Sequence, residues 1–153
     1  MNLRVSIEER YKEAIRSKNL NEVNTLRLMK SAVKNKDIEN RTSEHSKEIN
    51  DHQILALLQN LIKQRKDSIE SFKVASRNDL IVKEQLEIDL ISQFLPKQLS
   101  EMETEEIIKE IIKKQSLSSL KDMSTLMKNL NSEFAGSVDM AMAGKIAKLL
   151  LNS

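Results

Sequence analysis

The stretch DHQILALLQNLIKQRKDSIESF, residues 51–72, decides the fold. Ile54, Leu58, Leu61, Arg65, Ile69 and Phe72 recur at helical spacing, Leu55, Leu57 and Ile62 widen the stripe, and Asp51 is placed to cap its start. A helix of about six turns with one apolar face needs other helices to cover it. The same period continues on both sides. Upstream, Leu3, Ile7, Tyr11, Ala14 and Ile15 predict a helix over residues 2–17. Asn21 is placed to cap a second, through Val23, Leu26, Met29, Ala32 and Val33, which fades in a polar stretch from Asn40 to Asn50, expected to be a mobile loop. Downstream, Ser76-Arg77-Asn78 interrupts the pattern, and a fourth helix with Leu80, Ile81, Ile88, Ile91 and Leu95 inward runs to Pro96.

Beyond Pro96, Ser100-Glu101-Met102-Glu103 has the form of a capping box, with Glu105 and Glu106 complementing the helix dipole. Ile107, Ile108, Ile111 and Ile112 belong to this fifth helix. Ser116 to Ser119 can cap a sixth, carrying Leu120, Met123, Met127, Leu130 and Phe134. Asp139 caps a last one with Met142, Ile146, Leu149 and Leu150. The expectation is an all-α chain: an N-terminal bundle of about four helices over 1–96, then a small three-helix C-terminal domain over 97–153.

Composition agrees. Among 153 residues there are 2 Gly and 1 Pro, too few for a β-protein's tight turns or for most phosphate-cradling loops and nucleophile elbows. The absence of Cys removes disulfides, thiol nucleophiles and Cys-based zinc sites, and fits a reducing compartment. Met1 to Ser6 already include the charged Arg4 and lead into Glu8 and Glu9, with no apolar signal segment and no membrane-length run further on, so the chain is expected to be soluble and cytoplasmic. With 25 basic against 23 acidic residues, any nucleic-acid contact must come from local clusters.

Few residues suggest catalysis. His45 and His52 are seven apart, about 10 Å along a helix, too far to share a metal ion unaided, and read as exposed or capping. Glu101, Glu103, Glu105, Glu106 and Glu110 read as a solvated, dipole-compensating helix start. Met123, Met127, Met140 and Met142 read as core filler. Basic clusters carry more: Arg27, Lys30 and Lys34 follow i, i+3, i+7 spacing along the second helix, while Lys63, Arg65 and Lys66 crowd one turn of the third. They could neutralise phosphates, or their stems could cover apolar surface with the heads solvated or paired. Arg65, on the apolar stripe, needs a buried acceptor. Gly136 suits a turn before the last helix. Gly144, inside a helical pattern, suggests close packing against another backbone, and both glycines could alternatively present backbone to a partner.

Thr25-Leu26-Arg27-Leu28-Met29-Lys30-Ser31-Ala32-Val33-Lys34-Asn35, then residues 61–72, then Phe94-Leu95-Pro96-Lys97-Gln98-Leu99-Ser100 resemble the YqeY proteins of the GatB/YqeY group. Ser119-Leu120-Lys121-Asp122-Met123 and Gly136-Ser137-Val138-Asp139 continue the resemblance in order, so that it covers essentially the whole chain. The chain departs from the group's pattern at Ser124, Ser137 and Met140, with one charge and two glycines fewer. The resemblance implies an all-α protein whose C-terminal part is similar to the tail of the B subunit of glutamine-dependent aminoacyl-tRNA amidotransferases, a tail thought to hold tRNA while another domain does the chemistry.

The implied function is a non-catalytic accessory module, without cofactor or metal, that associates with tRNA or an amidotransferase subunit. Its phosphate contacts would come from Arg27, Lys30, Lys34, Lys63 and Lys66, or from Lys121, Lys128, Lys145 and Lys148, with Gly136 and Asp139 at a turn that could meet a partner. A protein-interaction module that docks through the C-terminal three-helix part and never touches RNA is the alternative. A stand-alone carbon–nitrogen ligase with glutamine as amide donor ranks last, since kinship does not transfer chemistry and no nucleotide loop or nucleophile–base pair is visible.

Overall fold

The computed structural model describes residues 2–41 and 48–152, so His45 and most of the polar stretch expected to be mobile lie outside the described residues. The chain is all-α: α1 (Leu3–Arg16), α2 (Leu20–Glu39), α3 (Asp51–Val74), α4 (Asn78–Ser92), α5 (Glu101–Gln115), a 3₁₀ turn (Leu120–Asp122), α6 (Met123–Glu133) and α7 (Met140–Leu151). It divides into two compact units, Met1–Leu95 and Pro96–Ser153.

In the first unit α1 pairs with α2 and α3 with α4. Ile7, Leu26, Met29, Ile54, Leu58 and Ile91 form the centre of the core. Each such side chain contributes about 1.5–3 kcal/mol on burial. Two caps differ from expectation. Asn19, not Asn21, accepts the Glu22 N–H and starts α2. Asn50, not Asp51, starts α3 through a reciprocal capping box with Gln53. Asp51 is the first helical residue, and its carboxylate accepts the Leu3 N–H at 3.3 Å, tying α3 to the start of α1. Helix α4 stops at Ser92, four residues before Pro96, because the backbone tightens into i+3 bonds at Gln93, Phe94 and Leu95.

Arg65 is where the apolar stripe demanded an acceptor. Its Nε lies 2.8 Å from Glu87 Oε2 of α4, and its Nη1 donates to the Leu61 carbonyl at 2.9 Å. The residue is 8% exposed.

In the second unit α5, α6 and α7 enclose Ile108, Ile111, Leu126, Leu130, Val138, Ala143, Ala147 and Leu151. The Ser100–Glu103 capping box forms as expected. The sixth helix begins later than its serines suggested: Ser119 caps only the 3₁₀ turn, and α6 starts at Met123. On α7 the inward residues are Ala143, Ala147 and Leu151, while Leu149 is exposed.

Candidate nucleic-acid interface

The basic stripe of α2 is not a continuous free surface. Arg27 and Lys34 are exposed, but Lys30 turns to α1, its Nζ 2.7 Å from Glu8 Oε2 and 4.1 Å from the centre of the Tyr11 ring. The hydrogen bond from Lys30 holds the Glu8 carboxyl below the usual carboxylate range. The stripe therefore keeps two cations without an ion pair among the described residues, about 10 Å apart along the helix. Lys63 and Lys66 are exposed on α3, while Arg65 between them is buried against Glu87. Lys30, one of the candidate phosphate contacts, is thus part-exposed and paired with Glu8.

The second unit assembles its lysines differently. The seam between α6 and α7 is marked by Gly144, where an added β-carbon would stand 3.9 Å from Met127 Cε. Helix α5 covers another side of α6, where the Asn129 amide donates to Gln115 at 2.7 Å. Each residue turns a helix by about 100°. Measured from buried Leu126 and Leu130, that rotation carries Ser124, Lys128 and Asn131 to the side away from the core. Measured from Ala143, Ala147 and Leu151, it carries Ala141, Lys145 and Lys148 to the same outer side of the seam. All six are exposed. Helices α6 and α7 hold a single carboxylate, the exposed Glu133 at the far end of α6. None of Lys128, Lys145 and Lys148 forms an ion pair among the described residues. Lys121 is exposed in the 3₁₀ turn, which packs on both helices.

The turn before α7 has a structural role. Gly136 is buried with φ 80, a left-handed conformation that suits glycine, and its carbonyl accepts the Gln98 side-chain amide. The Leu99 N–H donates to the Ser137 carbonyl at 2.8 Å, Val138 is buried, and Asp139 Oδ1 caps α7 by accepting from Ala141 and Met142. Gly136 is thus buried at this junction, with its carbonyl engaged by Gln98. Asp139 is exposed, with one carboxylate oxygen occupied by the helix start. The expectation of tight backbone packing at Gly144 is also corrected, since its neighbour is the flexible tip of Met127 at ordinary contact distance.

Sequence reading missed one polar cluster and one groove. Arg4 makes two bonds to the Asp37 carboxylate and donates to the Ile49 carbonyl, while Asp37 also accepts the Ile49 N–H at 2.8 Å. The Arg4 guanidinium holds the Asp37 carboxyl below the usual range. No pattern announces the pair, because its partners are 33 residues apart. A groove of about 640 Å³ runs between α2 and α4, with exposed Leu28, Val82 and Leu86 along it. His52 is exposed on α3, and among the described residues no group of three or more His, Asp or Glu could hold a metal ion. Among the same residues no helix is long and apolar enough to cross a membrane.

Comparison with known proteins accords with these motifs. The chain is 34% identical over 104 residues to altered inheritance of mitochondria protein 41, mitochondrial, of Saccharomyces cerevisiae, covering 66% of this chain and 54% of that protein. It is 38% identical over 71 residues to the protein of the same name from Lachancea thermotolerans, covering 46% and 36%. The chain spans about half the length of the yeast relative. The family model described as Yqey-like protein matches residues 4–151, nearly the whole chain, and the chain belongs to that family.

Proposed function

We propose that the chain is a non-catalytic helical accessory module that associates with tRNA, alone or beside a glutamine-dependent aminoacyl-tRNA amidotransferase. The observation that carries this reading is the carboxylate-free face of α6 and α7, where Lys128, Lys145 and Lys148 stand without ion-pair partners among the described residues. Lysines so placed release counterions from a phosphate backbone at little cost in lost protein contacts. Family membership supports the reading through the likeness of this unit to the amidotransferase tail. The relatives bear a mitochondrial designation, while a cytoplasmic location was expected from this sequence; both compartments contain tRNA.

Fluorescence anisotropy with labelled tRNA tests it. Three lysines give a slope of log K against log salt of about −2.7, so affinity falls about 40-fold between 50 and 200 mM salt. Charge reversal in the double variant K145E/K148E abolishes binding without unfolding the protein. Absence of tRNA affinity at low salt refutes the proposal.

A second reading, a protein-interaction module without RNA contact, draws on the groove between α2 and α4, where Leu28, Val82 and Leu86 are 43%, 60% and 54% exposed. Affinity capture that returned the same protein after nuclease treatment, with no RNA enrichment, would favour it. The carbon–nitrogen ligase reading ranks last, and glutamine-dependent amide formation by the purified chain would promote it.

A further inference from the structure

The chemistry of the α6–α7 face specifies the kind of RNA it fits. Only lysines supply its charge: residues 96–152 contain no Arg and no His, and their one aromatic, Phe134, is half-buried. A lysine ammonium neutralises phosphate as a point charge, without the planar fork by which Arg grips a guanine edge. Recognition of single-stranded RNA relies on splayed bases stacked on aromatic rings or guanidinium planes, and the face has neither. On the seam side of the lysines stand Ser124, Asn131 and the small Ala141, while the exposed hydroxyls of Thr125 and Ser132 and the exposed Leu149 flank them on the sides of α6 and α7 turned from the seam. Ser124 and Asn131 are seven residues apart on α6 and so share its outer side, about two turns apart, with Lys128 between them.

Double-helical RNA has the matching surface. Its minor groove is wide and shallow, lined by 2′-hydroxyls that donate and accept, and bounded by phosphates. The geometry points to this face as a reader of A-form RNA by shape: Lys128, Lys145 and Lys148 on phosphates, and Ser124 and Asn131 on 2′-hydroxyls, with Ala141 allowing close approach. The inference rests on the RNA-binding reading above and narrows it to a helical segment of RNA, read without regard to base sequence.

Anisotropy with the full chain separates the two levels. The probes are a blunt RNA duplex of about 20 base pairs, the DNA duplex of the same sequence, one RNA strand alone, and a second RNA duplex of scrambled sequence, each at 50 and 200 mM salt. The RNA duplexes are expected to bind equally and at least about 10-fold tighter than the DNA duplex or the single strand. S124A/N131A brings RNA and DNA duplexes within about 3-fold of each other while leaving the salt slope unchanged. K145A/K148A reduces the slope by about 1.8, and the two RNA duplexes still bind equally. Circular dichroism melting verifies that each variant is folded, which these outward positions favour.

Preference for the single strand, preference for one duplex sequence, or an unchanged slope in K145A/K148A overturns the inference and leaves RNA association standing. No binding to any of the four probes or to tRNA at 50 mM salt overturns both.

Discussion

Replacing Glu87 by Ala should destabilise the first unit more than any other single change at a charged residue. The Arg65 and Glu87 side chains are 10% and 20% exposed, and the guanidinium loses its one carboxylate while keeping only the Leu61 carbonyl at 2.9 Å. Breaking a buried pair by removing one partner costs about 3–5 kcal/mol, and the partial exposure of Glu87 admits water, so the lower end, about 3 kcal/mol, is expected. At an m-value of about 1.5 kcal/mol/M the urea midpoint falls by about 2 M. Glu87→Gln, which keeps an acceptor but not the charge, should lie between Ala and the wild type. The double variant R65M/E87L replaces the pair by apolar groups and should fall within about 1 kcal/mol of the wild type, since the desolvation penalty disappears with the attraction. Urea unfolding followed by circular dichroism, with hydrogen exchange to localise the loss to α3 and α4, measures all four proteins. A cost below about 1 kcal/mol for E87A, or a double variant no more stable than E87A, would refute the reasoning.

Gly136→Ala should cost about 1–2 kcal/mol because it forces a β-carbon onto a left-handed residue, whereas Gly144→Ala should gain about 0.5–1 kcal/mol; thermal melting of the pair gives opposite signs. Ser100→Ala removes the acceptor for the Glu103 N–H and should cost about 1 kcal/mol in the same assay. Because Arg4 depresses the Asp37 pKa in the folded state, the contribution of Asp37 is present above its unfolded value of about 3.9 and is lost as pH falls through the lower folded value. The stability difference between wild type and Asp37→Asn should therefore be largest near neutrality and shrink below about pH 4 in a pH series of urea titrations.

Much of the fold is legible because the helices carry strong apolar stripes and few glycines. The α3 stripe predicted both the helix and the inward turn of Arg65. The caps at Asn19 and Asn50 were displaced by two and one residues for a tertiary reason in one case: Asp51 resembles a cap, but the Leu3 N–H claims its carboxylate. Leu149 was expected inward because it is apolar, yet Ala143 and Ala147 let α7 approach its neighbours closely and set the buried side of the helix. The exposure of Lys128, Lys145 and Lys148 was readable from each helix alone. Their shared face was not, since it depends on which turn of α6 meets which turn of α7, where Gly144 lies opposite the Met127 side chain.

The two motifs that look most distinctive in the C-terminal unit, residues 96–100 and 134–139, meet each other. Gln98 closes on the Gly136 carbonyl, Leu99 pairs with Ser137, and Ser100 and Asp139 start the helices that follow. Val138 fills the core among them. Gln98, Ser100, Gly136, Val138 and Asp139 thus each have a folding role in which the side chain, or for Gly136 the lack of one, takes part. The reverse holds for the outer side of α6 and α7, where three lysines receive no ion pair among the described residues and cover no core position. Like charges gathered on one face repel one another and offer nothing to stability, a cost that an anionic partner would offset. The weight of a functional reading therefore moves from the conspicuous turn to the plain helical surface beside it.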